Sequence, residues 1–218
     1  DWRDVGKPGK NSLLAFGLIA HKGRLFAATC EPGEGDSGRL CQYSHGQEWV
    51  DLGSPSLSNA ITAMSSFNGE LYVGTGKYRV AGSALTESPN VNLGGRVFRY
   101  DGTNAQGKTT WTDCGQLPNA EAVSGMVVYR GKLYAASLYK PAGFFRYEDG
   151  QKWSDVGVPD GKRVEAIAVF NGHLYASSYD GGHVYRFDGT TWVDLGQLGD
   201  AAENTQTYSF AVYQGRLY

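Results

Sequence analysis

The sequence predicts an all-β fold in which a four-stranded antiparallel unit is repeated, and two recurring phrases support this prediction. All five tryptophans stand in the phrase Trp-x-Asp-x-Gly, which begins at Trp2, Trp49, Trp111, Trp153 and Trp192. A second phrase, Gly-x-Leu followed by an aromatic residue, begins at Gly23, Gly69, Gly131, Gly172 and Gly215. The tryptophans recur at intervals of roughly 40 to 60 residues, which is typical of the blades of a β-propeller. The 31 glycines and 14 tyrosines among 218 residues suit short strands joined by tight turns.

Each repeat is predicted to contain four strands, here called a to d in chain order. Strand a is the apolar segment that precedes the Gly-x-Leu glycine, as in residues 164–170, and strand b follows that glycine, as in residues 173–178. Strand c has an aromatic-Arg-aromatic core in three repeats, at residues 98–100, 145–147 and 185–187. An Asp-Gly turn then leads into strand d, which carries the tryptophan.

Two columns of residues in strand a indicate that the repeats close around an axis. Six residues before the glycine, every side chain is small: Gly17, Ala63, Gly125, Ala166 and Ser209. Two residues before the glycine, every side chain is a ring: His21, Phe67, Tyr129, Phe170 and Tyr213. The innermost strands of a ring crowd around its axis and need small residues, whereas blades widen outward and need bulky ones.

The repeats account for the whole chain as a single domain, residues 1–218. Four complete units are predicted at about 12–53, 59–115, 121–157 and 163–196. Residues 1–6 are predicted to be a lone strand d, and residues 205–218 to supply strands a and b of a partial unit. A strand d at the start of the chain would complete the last blade, so the favoured prediction is five blades with the last one split and incomplete. Because the chain stops at Tyr218 within a phrase, we expect it to be truncated, and six or seven blades in a longer parent are the alternative.

The order of these signals resembles the kelch-type β-propellers. The resemblance lies in an apolar strand, a turn glycine, Leu-Tyr, a variable loop and a tyrosine followed by a tryptophan, and it covers essentially the whole chain. The kelch double glycine is absent, since the corresponding positions hold Ala28-Thr29, Gly74-Thr75, Ala136-Ser137 and Ser177-Ser178. The resemblance implies a ring with binding or catalytic groups on the loops of one face, and it implies no particular chemistry.

Composition and motifs argue against several classes of function. The net charge is −2 and basic residues do not cluster, so we expect no nucleic-acid partner. No apolar stretch is long enough to insert into a membrane. Motifs of zinc proteases, α/β-hydrolases, nucleotide sites and redox dithiols are missing, and the four histidines fall in different repeats or strands. We therefore predict no catalytic residue, no cofactor and no metal.

The loops that vary in length predict where a binding site lies. The b-to-c loops range from about four residues to about twenty in the insertion at 75–94, and they share one face of the ring with the d-to-a loops. That face also carries Glu87, Asn90, Asn92, Lys140 and Asp180. The candidate binding residues on this face and around the channel mouth are Asn59, Tyr78, Arg79, Glu121, Tyr139, Arg163, Glu165, Tyr179 and Gln206. Tyrosines beside amides and carboxylates suit a sugar, because rings stack on C–H faces while polar groups bond hydroxyls.

Other recurring residues are predicted to be structural. In every repeat that contains a strand c, its aromatic residue is followed across a hairpin by the tryptophan, which favours a cross-strand contact between blades over a sugar platform. The aspartate two residues on is predicted to cap a turn or to pair with Arg99, Arg146 or Arg186. Cys30 and Cys41 fall on neighbouring strands, so a disulfide and two buried free thiols both remain open.

The favoured function is a binding or interaction module for a glycan or glycoprotein, held on the variable-loop face near the channel mouth. One alternative is a carbohydrate-active hydrolase or lyase, for which Glu121 and Glu165 are the carboxylate pair to test. A second alternative is a protein-interaction scaffold that uses the insertion at 75–94. The polar, lysine-poor and aromatic-rich loops suggest an extracellular or periplasmic location.

Overall fold

The computed structural model describes residues 2–80, 84–139, 141–200 and 203–218. Within these ranges the chain forms 18 β-strands and no helix. No helix of the described residues could therefore cross a lipid bilayer. The all-β prediction is confirmed, and the strands form antiparallel sheets arranged like the blades of a propeller.

Sixteen of the strands make four units, called blades 1 to 4. Blade 1 contains β1 (Leu14–His21), β2 (Arg24–Cys30), β3 (Leu40–Tyr43) and β4 (Trp49–Asp51). Blade 2 contains β5 (Ala60–Phe67), β6 (Glu70–Gly76), β7 (Arg96–Thr103) and β8 (Thr109–Gln116). Blade 3 contains β9 (Val123–Tyr129), β10 (Lys132–Ser137), β11 (Phe144–Asp149) and β12 (Lys152–Asp155). Blade 4 contains β13 (Val164–Phe170), β14 (His173–Ser178), β15 (His183–Phe187) and β16 (Trp192–Gln197), and a hairpin of β17 (Val212–Tyr213) and β18 (Arg216–Leu217) follows.

The five Gly-x-Leu glycines all end the same kind of turn between strands a and b. Each glycine and the residue before it have positive φ, for example 48° at Lys22 and 73° at Gly23. Two consecutive left-handed residues are the geometry of a type I′ hairpin turn, which glycine accommodates without strain. The repeated phrase therefore specifies a local hairpin independently of its surroundings.

The innermost strands β1, β5, β9 and β13 pack side by side around the axis. The small column of strand a lies at this contact. A Cβ on Gly17 would lie 3.9 Å from the Met64 Cε, and a Cβ on Gly125 would lie 3.5 Å from the Ile167 Cδ1. A larger side chain at either glycine would press on the next blade, which explains the restriction to small residues.

The apolar core is divided among the junctions between blades. Separate clusters of buried side chains lie between blades 1 and 2, between blades 2 and 3, and between blades 3 and 4. The aromatic residues two positions before the Gly-x-Leu glycine take part in these clusters. Phe67 packs on Tyr147 of the next blade, and Tyr129 packs on Phe187.

The tryptophans hold neighbouring blades together, as the cross-strand interpretation predicts. Four of them face the strand-c aromatic of their own blade, in the pairs Tyr43–Trp49, Tyr100–Trp111, Tyr147–Trp153 and Phe187–Trp192. Three indole N–H groups donate to a carbonyl of the preceding Trp-x-Asp-x-Gly phrase: Trp49 to Val5 O at 2.9 Å, Trp153 to Cys114 O at 2.8 Å and Trp192 to Gly157 O at 3.0 Å. A ring contact within one blade is thus combined with a hydrogen bond to the previous blade.

The aspartate of the phrase caps a turn in all five repeats. Its Oδ1 accepts from the backbone N–H of the glycine two residues later, at 2.8 to 2.9 Å. The prediction that Arg99, Arg146 and Arg186 pair with this aspartate is wrong. Asp113 lies opposite Phe98 in the β7–β8 ladder, so it shares a sheet face with Arg96, to which it is ion-paired, while Arg99 points to the other face. Asp51 pairs with Arg39, and Asp194 with His183, for the same reason.

Two further expectations are settled by the structure. Residues 2–6 lie outside any strand, against the predicted strand d at 1–6, because no strand c of the described residues pairs with them; Asp1 lies outside the described residues. The segment still occupies the place of a strand d beside blade 1, where Val5 accepts from Trp49 and Asp4 from Gln47.

Cys30 and Cys41 are free and buried, and burial raises their pKa values to about 11 and about 12. The β2–β3 register places Cys41 opposite Ala27, which leaves Cys30 too far along the strand to bridge.

Candidate functional site

A cavity of about 510 Å³ opens on the face that carries the b-to-c and d-to-a loops. Loops of blades 2, 3 and 4 contribute to its wall. It is lined by Arg79, Glu121, Tyr139, Ala142, Gly161, Lys162, Arg163, Tyr179 and Asp180, and it is called the site cavity below.

One wall of the site cavity is built around Arg79, on the insertion of blade 2. The Arg79 guanidinium lies over the Tyr139 ring at 4.8 Å from its centre, and it is ion-paired with Glu121. The backbone N–H of Arg79 donates to the Tyr139 Oη at 2.8 Å. Burial raises the pKa of Tyr139, and this hydrogen bond partly opposes the effect. Arg79 is therefore held at three points although its side chain is half exposed.

Residues of blade 4 repeat this arrangement in another part of the lining. The Arg163 guanidinium lies 3.5 Å from the centre of the Tyr179 ring. Its Nε donates to the Glu165 Oε2 at 3.0 Å, and the Arg163 and Glu165 side chains are 21% and 15% exposed. The site cavity is thus bounded by two units, each made of an arginine, a tyrosine and a glutamate.

Lys162 completes the wall from the d-to-a loop that precedes β13. Asp160 accepts a hydrogen bond from the Lys162 N–H at 3.0 Å, which turns the chain at this point. The Lys162 Nζ donates to the Asp180 carbonyl at 2.9 Å and so joins the d-to-a loop to the b-to-c loop of the same blade.

Buried polar groups fix the insertion that carries Arg79. Asn59 is fully buried and forms two hydrogen bonds with the backbone of Tyr78, at 2.7 and 3.0 Å. The Lys77 Nζ donates to Glu87 at 3.1 Å and to the Ser88 carbonyl at 2.7 Å. Asn90, also buried, donates to the carbonyls of Asp36 and Leu57. These hydrogen bonds hold the insertion in place against blades 1 and 2. Its residues 81–83 lie outside the described ranges.

Tyr78 lies toward the channel mouth, where several blades meet. Its ring contacts Phe16 of blade 1 edge to face, with centres 4.7 Å apart. Burial raises the pKa of Tyr78, with the Cys30 thiol and the Glu165 carboxylate adding to the effect and Arg163 opposing it. The ring contact with Phe16 places Tyr78 against blade 1.

The nine predicted binding residues fall into distinct groups. Arg79, Glu121, Tyr139, Arg163 and Tyr179 line the site cavity, and Glu165 lies behind Arg163. The remaining three, Asn59, Tyr78 and Gln206, are outside its lining, and Asn59 has a structural task. Lys140 lies outside the described residues.

Sequence reasoning missed Lys162, Gly161 and Ala142. The turn residues Asp160-Gly161 before strand a of blade 4 mark a d-to-a loop on the face of the site cavity, and this signal points to Lys162. Variation in loop length favours the b-to-c loops and gives less weight to this d-to-a loop.

Two other features of the described residues help to choose among functions. No group of three or more His, Cys, Asp or Glu side chains in these ranges is placed to hold a metal ion. A second cavity, of about 550 Å³, lies on the other face between blades 1 and 2 and includes His21, Lys22, Arg24 and Tyr100. The site cavity brings together b-to-c and d-to-a loops of blades 2, 3 and 4, which vary in length between repeats.

Comparison with known proteins supports a propeller. A family model described as the DUF6242 beta propeller domain matches residues 75–204. No curated protein matches the sequence.

Solved structures with the same fold share little sequence with this chain. A protein provisionally named a gluconolactonase is 18% identical, with a TM-score of 0.58 over 89% of this chain and 65% of its own. A luciferin-regenerating enzyme is 18% identical, with a TM-score of 0.54 over 85% of this chain and 62% of its own. The PQQ-bound aldose sugar dehydrogenase of Streptomyces coelicolor is 13% identical, with a TM-score of 0.56 over 96% of this chain and 74% of its own. The chain thus spans a little under two thirds of the first two structures, and at these identities the likeness concerns the fold.

Proposed function

Because the chain belongs to the family of DUF6242 beta propeller domains, we propose that it is a binding module that holds a carbohydrate in the site cavity. The proposal rests on one observation: two units, each of an arginine, a tyrosine and a glutamate, bound the same cavity of about 510 Å³. A cavity of this size is in the range that small ligands occupy.

The polar groups of the site cavity suit a molecule rich in hydroxyl groups. Guanidinium and ammonium groups donate hydrogen bonds, and the carboxylates of Glu121 and Asp180 accept them. Because the donors are fixed by ion pairs and ring contacts before any ligand arrives, little conformational entropy is lost on binding. The sugar-related names of the gluconolactonase-like and aldose dehydrogenase structures fit a carbohydrate ligand.

Binding is favoured over hydrolysis by the state of the carboxylates. Glu121 and Glu165 are each engaged by an arginine, and the Glu165 side chain is 15% exposed behind Arg163. A glycosidase pair needs one carboxyl group to give a proton to the leaving group and the other to act on the opposite side of the sugar. Either glutamate would have to leave its arginine to do so.

A glycan array followed by calorimetry tests the proposal. Wild-type protein should retain a subset of glycans without converting them. Glu121→Gln should weaken retention about 10-fold, the amount expected when one charge-assisted interaction is lost. Arg24→Gln, in the cavity of the other face, is the matched control and should leave retention unchanged. Retention of no glycan, or release of a product, would contradict the proposal of a binding module.

A protein-interaction role for the insertion is the second candidate. Val91 and Leu93 on the insertion are 82% and 61% exposed, and Leu57, whose carbonyl binds Asn90, is 72% exposed. Deleting residues 80–91 would also remove the anchors Glu87 and Asn90, so a sharper test is the double variant Val91→Ser, Leu93→Ser. This role requires the variant to lose a protein partner while glycan binding persists; if the partner is kept, the role is wrong.

We propose further that the ring is five-bladed and that its repeats are a kelch-like variation. The position of residues 4–6 beside blade 1 supports the split blade, because Trp49 of blade 1 donates to Val5 as Trp153 of blade 3 donates to Cys114 of blade 2. A crystal structure of the protein would test the blade number.

A further inference from the structure

We infer that the carbohydrate is acidic, with a carboxylate, as in a uronic acid, bound by Arg163 and Lys162. This inference rests on the proposed function and adds the class of sugar. It follows from which parts of the arginines and tyrosines remain available to a ligand.

The tyrosines do not offer two open faces for stacking on a sugar. The Arg79 guanidinium lies 4.8 Å from the centre of the Tyr139 ring, and the Arg163 guanidinium 3.5 Å from that of Tyr179. One face of each ring is therefore occupied by a cation, a favourable contact with the electron-rich ring. The rings position guanidinium groups, so the chemistry presented to a ligand is mainly cationic.

Arg163 presents a free donor edge. Glu165 takes the Nε hydrogen, and the terminal amino groups have no hydrogen-bond partner within residues 2–80, 84–139, 141–200 and 203–218. The guanidinium is planar, and two parallel N–H groups on one edge match the two oxygens of a carboxylate. With its Nε bonded to Glu165 and its plane on Tyr179, the group is fixed before the ligand binds.

Lys162 adds a second cation to the same cavity. Its Nζ bonds a neutral backbone carbonyl, that of Asp180, at 2.9 Å, and no carboxylate of the described residues is ion-paired with it. Arg79, by contrast, is neutralised by Glu121. A ligand carboxylate would therefore form its strongest electrostatic interactions with Lys162 and with the open edge of Arg163. The carboxylates of Glu121 and Asp180 remain to accept hydrogen bonds from hydroxyl groups of the sugar.

The experiment compares matched ligands by isothermal titration calorimetry. Trisaccharides of galacturonic, glucuronic, mannuronic and guluronic acid are each titrated alongside their methyl esters, which keep the shape and lose the charge. At least one free acid should bind about 10-fold or more tightly than its ester, and this preference should shrink as salt rises.

Variants assign the effect to residues. Arg163→Gln and Lys162→Gln should each weaken binding of the acid about 10-fold and change binding of the ester less than about 3-fold. Because Lys162 is exposed, its variant keeps the test informative if Arg163→Gln fails to fold. Arg24→Gln should behave as wild type.

The outcomes separate the inference from the proposed function. Equal binding of acid and ester, or equal loss of both in Arg163→Gln, would overturn the acidic sugar and leave carbohydrate binding intact. Binding of no uronic acid while a neutral glycan is retained would do the same. Binding of no carbohydrate at all would overturn both.

Discussion

Replacing Trp153 with phenylalanine should destabilise the protein more than the same change at Trp111. Trp153 is 9% exposed, and its indole N–H donates to the Cys114 carbonyl of the previous blade at 2.8 Å. In the β7–β8 ladder the register shifts between Arg96 and Phe98, so Cys114 lies at an irregularity where its carbonyl needs another donor. Phenylalanine keeps the ring contact with Tyr147 and removes the donor.

The expected magnitude follows from these contacts. Loss of ring atoms should cost about 1 kcal/mol in either variant. In Trp153→Phe the buried Cys114 carbonyl is also left without its indole partner, which costs about 1 to 3 kcal/mol more. Trp111 packs on Tyr100 in the same way, but its indole N–H has no partner within the described ranges, so Trp111→Phe should show the ring term alone. For a chain of this size a difference of about 2 kcal/mol corresponds to about 4–8 °C in melting temperature.

Urea denaturation followed by far-ultraviolet circular dichroism measures the difference without depending on tryptophan fluorescence. Trp192→Phe also loses an indole hydrogen bond between blades, so its free energy of unfolding should decrease about as much as that of Trp153→Phe. Equal free energies of unfolding for Trp111→Phe and Trp153→Phe would refute the argument that the indole bond joins the blades.

Three further predictions concern stability. Gly115→Ala should cost several kcal/mol of stability, because φ is +95° and a Cβ would overlap the backbone of blade 3. Gly107→Ala, at φ +78° with open space around the Cβ, should cost only about 1–2 kcal/mol. Thermal denaturation compares the two variants, and equal losses would contradict the steric argument. Asn59→Ala should cost about 2–3 kcal/mol, because it removes two buried hydrogen bonds to the backbone of Tyr78. The insertion should then be cut faster by a protease within residues 75–94. An unchanged cleavage rate would mean that Asn59 does not anchor the insertion. Since burial raises the pKa of Cys30 and Cys41 to about 11 and about 12, the folded state retains protons that the unfolded state loses above its thiol pKa, so stability should fall as pH rises from about 9 to 11. Urea titrations of the double alanine variant should show a shallower fall, and an unchanged slope would exclude these thiols as the cause.

The repeat could be predicted from sequence because its signals are local. A left-handed pair such as Lys22-Gly23 specifies a hairpin whatever surrounds it, and the aspartate and glycine of the tryptophan phrase specify a turn. The small column could also be predicted, since closure of a ring leaves little space near its axis. Residues 2–6 do not form the expected strand, because a strand needs a partner as well as a pattern.

Pairings between side chains depended on register, which the pattern does not contain. The aspartates were assigned to Arg99 and its equivalents by repetition, yet the ladder places Asp113 on the face of Arg96. The register of the two strands is enough to identify the partner of the aspartate, because successive side chains of a strand alternate between the two faces of the sheet.

The site was predicted in part for the same reason. Loop length pointed to the face on which the site cavity opens, and five of the nine candidates line that cavity. The contact of Arg79 with Tyr139 joins residues 60 positions apart and exists only because the ring brings blades 2 and 3 together. The role of the tyrosines as supports for arginine depended on this geometry and could not be predicted from residue types.

An NMR titration can show whether the carbohydrate binds in the site cavity, as we propose. Adding a uronic acid trisaccharide to ¹⁵N-labelled protein should shift the Nε–H signals of Arg79 and Arg163 and the amide signals of residues 161–163 and 179–180. Amide signals of residues 21–24, in the cavity of the other face, should remain in place. Shifts confined to residues 21–24, or no shifts at saturating sugar, would contradict the claim.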